Sequence, residues 1–238
     1  RAQALDVASP AFRYCEIERR IQSACDRAGR ERSAVRLVGA SKQQPLAALA
    51  AAYACGLRCF GENRVQEAVT KAPLLPADIE WHLLGPLQSN KVRKAVALFR
   101  VVHAVDRLAI AFELDEEAAR QGRRIAGLIE VNLGAERSKH GFPAAELAAT
   151  LAPLAALVHL EVRGLMAIPP PSASAEESRP HFRRLAGLRD ELRRRPEWQA
   201  RGFAGELSMG MSGDFEVAIE EGATQIRVGS ALFGERAG

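Results

Sequence analysis

Val35-Arg36-Leu37-Val38-Gly39-Ala40-Ser41-Lys42 is an apolar run that closes on a lysine. Its length and composition predict a strand buried on both faces, as in parallel sheets. Pro45 follows, placed where a helix can begin because its missing N–H costs nothing there. Leu46–Cys55 then carries helical periodicity, Gly56 punctuates its end, and Arg58–Gly61 opens the next apolar run. The same unit recurs along the chain. Further strands are expected at Trp81–Gly85, Val101–Val105, Ala126–Leu133, Leu160–Ile168, Glu206–Met209 and Gln225–Val228. Between them, helical patterns cover Val65–Lys71, Lys91–Leu98, Leu108–Gln121, Ala144–Leu157, Glu176–Arg195 and Phe215–Glu221.

Eight strands alternating with helices predict an α/β fold of one kind, a single-domain TIM (β/α)8 barrel over residues 1–238, preceded by an extra amphipathic helix at about residues 11–29. An open doubly wound sheet needs no eighth strand and usually carries a glycine-rich first turn. The first turn here is Ser41-Lys42-Gln43-Gln44-Pro45, which lacks that fingerprint. Pro169-Pro170-Pro171-Ser172-Ala173-Ser174-Ala175 is the most flexible-looking stretch, and its place after strand six makes it a loop on the functional face.

Composition removes several classes of function. The 33 basic and 29 acidic residues nearly balance, and aromatics make up only 5%, which argues against a nucleic-acid partner. The Arg183-Arg184 pair and Arg193-Arg194-Arg195 read as solvated helix faces. No stretch reaches the length of a membrane span, and nothing at the start resembles a secretory signal. Of the four cysteines, Cys15, Cys25, Cys55 and Cys59, the last two lack nearby histidine or carboxylate partners at zinc-ligand spacing, so free thiols in a cytoplasmic protein without a bound metal are expected.

In a TIM barrel the chemistry sits at the C-terminal ends of the strands, and the unusual residues collect there. Lys42 is one of only five lysines, with Lys71, Lys91, Lys94 and Lys139, in a chain whose basic residues are mostly arginine. An ammonium at the mouth of a buried strand is costly unless paired or neutralised, and a neutral lysine amine forms Schiff bases with carbonyl compounds. The plainer reading is a surface lysine snorkelling to water. Ser212-Gly213 and Gly229-Ser230 stand after strands seven and eight, where barrels commonly hold a phosphate on backbone N–H groups. Ser212 capping the next helix is the alternative there. Period-two alternation turns Ile226 and Val228 towards the helices and Arg227 towards the barrel mouth. A permanently charged arginine facing a pyridine nitrogen keeps that nitrogen unprotonated. A Schiff-base lysine, a phosphate cradle and an inward arginine together point to pyridoxal 5′-phosphate.

From Val35 to Gly234 the sequence resembles the pyridoxal phosphate homeostasis (YggS-like, proline-synthetase-co-transcribed) family. The resemblance is carried by GASK ending at Lys42, FGEN at Phe60–Asn63, WHLLGPLQSNK at Trp81–Lys91, RGLMAIP at Arg163–Pro169, LSMGMSGD at Leu207–Asp214 and IRVGSALFG at Ile226–Gly234. It implies a barrel like the N-terminal domain of alanine racemase, a fold type III pyridoxal phosphate protein, with the cofactor on Lys42. It further implies phosphate contacts from Ser212, Gly229 and Ser230, the ring nitrogen facing Arg227, and a ring pocket lined by Asn63, Met166 and Met209. The implied role is cofactor binding, buffering and delivery in the cytoplasm by a monomer without robust turnover, with pyridoxal-phosphate-dependent apo-enzymes as partners. Two departures stand out. Gln43 follows the lysine where many relatives have threonine, and Gly39 replaces a bulkier residue, which is expected to loosen the local core.

Rival readings are an amino-acid racemase, a Schiff-base aldolase and a protein-interaction module. Racemisation needs a second acid–base group opposite the lysine, and Tyr14 and Tyr53 fall on helices away from the mouth. An aldolase lysine more often sits further along the barrel, and no exposed apolar stripe marks an interaction module. Among the histidines, His82 either reaches the site or is a core residue with a partner, while His103, His159 and His181 read as structural. Lys139 and His140 are candidates for an accessory anion site, and Lys91 and Lys94 for solvated positions.

Overall fold

The computed structural model describes residues 9–134 and 140–234. Its sheet is parallel throughout and closes on itself. The strands are β1 (Arg36–Ala40), β2 (Cys59–Glu62), β3 (Glu80–Leu83), β4 (Val101–Val105), β5 (Ile125–Asn132), β6 (Phe142–Pro143), β7 (Leu160–Met166), β8 (Glu206–Met211) and β9 (Gln225–Val228). Their order is β4-β3-β2-β1-β9-β8-β7-β5, and β4 also pairs with β5, so eight strands form the expected barrel. The two-residue β6 adds to the end of β5, with Val131 opposite Phe142. In this ring β1 and β5 lie diametrically across from each other.

The helices are α1 (Pro10–Arg27), α2 (Leu46–Ala54), α3 (Val65–Lys71), α4 (Val92–Leu98), α5 (Leu108–Arg120), α6 (Leu147–Leu151), α7 (Ala175–Arg193), α8 (Pro196–Ala200), α9 (Phe215–Glu220) and α10 (Ser230–Phe233). The expected opening helix is α1. Ser9 caps it by accepting from the Phe12 N–H at 3.2 Å, Pro10 sits in its first turn, and Ile17, Ile21, Ala24 and Cys25 form its buried stripe. Most of the apolar side chains between strands and helices form one continuous core, with Phe60, Leu83, Phe99, Ile110 and Phe215 almost wholly enclosed. Among the described residues no helix is long and apolar enough to cross a membrane.

Two expectations about local structure fail for identifiable reasons. Ala144–Leu157 is not one helix: a 3-10 turn at Ala144–Glu146, the single turn of α6 and a 3-10 segment at Ala152–Ala156 replace it. Pro153 lacks the N–H that an α-helix would need there and its ring clashes with the preceding turn. Gly39 does not loosen the core. A Cβ at that position would lie 2.6 Å from Leu57 Cδ2 and 3.2 Å from Leu232 Cδ2, so neighbouring side chains already fill the space.

Candidate active site at the barrel mouth

The lysine that ends the first apolar run stands on a turn braced from below. Ser41 N–H donates to the Gly61 carbonyl at 2.9 Å, extending the β1–β2 pairing to the residue before Lys42. Ser41 Oγ donates to Glu62 Oε1 at 2.8 Å, and Lys71 Nζ reaches the same oxygen at 2.7 Å and the Ser41 carbonyl at 2.9 Å. Glu62 is completely buried. Burial pushes its carboxyl up despite the opposing pull of Lys71 and Ser41. Just beyond Lys42, Gln43 adopts φ 59°, a left-handed conformation held by its N–H donating to Glu67 Oε2 at 2.9 Å. A residue branched at Cβ would take that conformation at greater cost than glutamine does. Sequence reasoning assigned no role to Glu62, Glu67 or Lys71, whose importance appears only when β1, β2 and α3 come together.

Lys42 itself has no side-chain hydrogen-bond or ion-pair partner among the described residues, and it lines a cavity of about 630 Å3. That volume suits a small-molecule ligand. Asn63, Ser212, Arg227, Gly229 and Ser230 line the same cavity, so six of the eight expected residues converge. Ala104, Leu84 and Ile168 supply apolar wall. Ser212 Oγ accepts from the N–H groups of Gly229 (3.2 Å) and Ala231 (3.3 Å), which ties the loops after β8 and β9 to each other. The N–H groups of Ser212, Gly213 and Ser230 have no partner among the described residues. A Cβ on Gly213 would meet no heavy atom within 4 Å, so its backbone is open to an approaching group. On the other side, a Cβ on Gly85 would lie 2.4 Å from the Asn63 carbonyl oxygen, and this close approach sets the position of Asn63.

Arg227 is 5% exposed and points inward, while Ile226 and Val228 belong to the outer core, as alternation required. Burial lowers its pKa to about 10, against the opposing charges of Asp214 and Glu130. The two methionines sit elsewhere. Met166 packs with Ala104, Ala126 and Leu128 inside the barrel, and Met209 belongs to the helix-facing core. The thioether in the cavity is Met211. The β8–β9 register shifts between Ser208 and Met211, and Gly210 has φ 93°. Glycine inside a strand is the one sequence signal for such a bulge.

Glu130, on β5 across the barrel from Lys42, also lines the cavity. Burial and the neighbouring Asp106 raise its pKa, while His140 and Arg227 oppose the shift. It lines in addition an adjoining cavity of about 730 Å3, walled by the Pro169–Ser174 loop. His140 Nδ1 lies 3.3 Å from the Asp106 carboxylate; Lys139, its expected companion, falls outside the described residues.

His82 and His103 are core histidines with side-chain partners. His82 Nδ1 lies 2.8 Å from His103 Nε2, and both rings are fully buried. Burial lowers both pKa values below the ordinary 6.5, for His103 well below. The unfolded chain therefore binds protons that the folded chain refuses, and stability is lost as pH falls below about 6.5. Each histidine contributes a slope of about 1.4 kcal/mol per pH unit once it titrates in the unfolded state. Urea midpoints measured from pH 7 to 5 should fall steeply in the wild type and less steeply in His103→Gln; parallel slopes would refute this. Cys59, Glu80 and His82 place donor atoms within 4.8 Å of one another. The Arg36 guanidinium is bonded to Glu80 of this cluster.

The fold and mouth define a (β/α)8 barrel of the alanine racemase type with a lysine on its first turn. The family model for the alanine racemase N-terminal domain matches residues 14–237. The pyridoxal phosphate homeostasis protein of Aquifex aeolicus is 44% identical over 225 residues, covering 94% of this chain and 97% of the relative. That of Pseudomonas aeruginosa is 42% identical, with 95% of each chain covered. The structure of PipY from Synechococcus elongatus with pyridoxal phosphate bound superposes with a TM-score of 0.79 at 44% identity, covering 92% of this chain and all of that one. Alanine racemase of Clostridium difficile shares the fold alone, at 14% identity and a TM-score of 0.67; 60% of that chain is covered. The chain belongs to the pyridoxal phosphate homeostasis family.

Proposed function

We propose that this protein holds pyridoxal 5′-phosphate as a Schiff base on Lys42 and serves intracellular cofactor homeostasis by binding, buffering and delivering it. The observation that carries this reading is the unpartnered Lys42 in a cavity with Arg227 and two open phosphate-type loops. When bound, the cofactor supplies an aldehyde to the Lys42 amine. Ser212, Gly229 and Ser230 would hold its phosphate, Arg227 would face its ring nitrogen, and Asn63 would line the ring pocket. Met166 and Met209 support the pocket from the packed layers behind it. The chain acts as one cofactor-binding unit, a monomer of the cytoplasm whose partners are apo-enzymes that need the cofactor.

The ring electronics support a protein without robust turnover, although racemases tolerate an unprotonated ring when a second base is positioned. A guanidinium at the ring nitrogen leaves that nitrogen unprotonated and the ring a poor electron sink. Tyr14 and Tyr53 do not line the cavity among the described residues, and Tyr53 Oη donates to Asp78. One observation favours racemisation as a second reading: Glu130, across the barrel from Lys42, is a carboxyl placed as a second acid–base group. The test mixes cofactor-loaded protein with an apo-decarboxylase and with L-alanine in separate samples. Carrier function predicts recovered decarboxylase activity and no D-alanine. Sustained D-alanine formation, or retention of the cofactor against the apo-enzyme, would refute it.

A further inference from the structure

From Arg227 an unbroken line of side-chain hydrogen bonds runs through the barrel interior to its N-terminal end. Arg227 Nη1 donates to Ser208 Oγ at 2.5 Å and Nη2 to the Ala167 carbonyl at 3.1 Å. Ser208 Oγ lies 2.8 Å from His103 Nδ1, and His103 Nε2 lies 2.8 Å from His82 Nδ1. His82 Nε2 lies 2.8 Å from Glu80 Oε1, at the first residue of β3, where Arg36 also binds. Ser208, His82 and His103 are all fully buried. Four different strands contribute, so the line crosses the barrel from β9 through β8 and β4 to β3.

The two ends fix its direction. A guanidinium only donates, so Ser208 Oγ accepts from Arg227 and its own proton goes to His103 Nδ1. His103 then carries its proton on Nε2 and donates to His82 Nδ1, and His82 Nε2–H donates to the Glu80 carboxylate. That carboxylate, held down at about 2 chiefly by His82, only accepts. Every donor meets an acceptor when both imidazoles are neutral, and protonating His103 would set two donors face to face. Such chains polarise one another, so each bond reinforces the next.

We infer that Glu80, His82, His103 and Ser208 are positioning residues that hold the Arg227 guanidinium at the barrel mouth from the opposite end of the fold. For what Arg227 meets there, a pyridine nitrogen, the inference rests on the cofactor reading above; the relay itself does not. Glu80 thus acts on the ligand site without touching it, because it is the terminal acceptor that sets the direction of every bond above it.

The first test reads histidine imidazoles by 15N NMR in the ligand-free protein. Both rings are expected as neutral Nε2–H tautomers at pH 7, and Glu80→Ala, which removes the terminal acceptor, should release an Nδ1–H population at His82 and His103. A wild-type Nδ1–H or doubly protonated ring, or unchanged tautomers in Glu80→Ala, would overturn the inference. The second test is a double-mutant cycle on pyridoxal phosphate affinity. Glu80→Ala is expected to weaken binding about threefold to tenfold, and to have no effect in an Arg227→Gln background; additive effects would also overturn it. Ser208→Ala runs the same cycle if Glu80→Ala fails to fold. A wild type that binds no cofactor sinks the cofactor reading, while the tautomers still decide the relay.

Discussion

Lys42→Ala is expected to weaken pyridoxal phosphate binding by about a hundredfold or more, equivalent to roughly 3 kcal/mol, while leaving the fold intact. The two effects separate because of how Lys42 is placed. Its side chain has no partner among the described residues, so truncation strands no buried group and should change stability by no more than about 0.5 kcal/mol. On the proposed Schiff-base reading the affinity loss comes from the missing covalent bond, since Ser212, Arg227 and the loop N–H groups would remain to hold phosphate and ring. Lys42→Arg sharpens the test by keeping the charge and removing the Schiff-base chemistry. Equilibrium dialysis with thermal unfolding on the same samples checks both. Equal affinities for wild type and both variants would remove Lys42 from the site.

The largest stability loss is expected from Lys71→Met. Lys71 keeps only 13% of its side-chain surface and Glu62 none, so Met leaves a carboxylate buried without its counter-charge. Breaking a buried pair in this way costs about 3–5 kcal/mol, which lowers the melting temperature by roughly 10 °C in a chain of this size. The pH dependence identifies the cause. The Glu62 carboxyl is already raised by burial, and losing Lys71 raises it further. A raised carboxyl contributes stability below its unfolded value and loses it as pH rises through the folded value. The gap between variant and wild type should therefore be widest at neutral and alkaline pH and narrow as pH falls towards 4.5, the ordinary value. A shift under about 2 °C that ignores pH would show that the pair contributes little. Because Lys71 also holds the Ser41 carbonyl, the variant should bind cofactor more weakly at temperatures where it remains folded.

What the sequence disclosed, and what it hid, divides by the range of the interactions. The barrel was legible because a strand buried on both faces must be apolar along its length, and eight such runs with short helical intervals leave few topologies. Lys42, Ser212, Arg227 and Gly229 were legible because each breaks a local pattern at a strand end. Local propensity overreached at Ala144–Leu157, where an alanine- and leucine-rich composition masked the effect of Pro153. The resemblance implied Met209 in the pocket, whereas the register shift around Gly210 brings Met211 into the cavity. The rest depends on pairings distant in sequence. His103 and Ser208 are 105 positions apart, and nothing near either residue announces the other. The Ser41–Glu62–Lys71 brace likewise needed three elements to meet. Buried polar groups find partners, but the sequence does not say which ones.

The most direct measurement is borohydride reduction of the protein loaded with pyridoxal phosphate, followed by peptide mass spectrometry. The expected result is one reduced cofactor adduct, on the peptide containing Lys42, formed in proportion to the visible band lost. An adduct confined to another of the five lysines, or cofactor released unreduced with no adduct, would contradict the assignment of Lys42 as the residue that holds it.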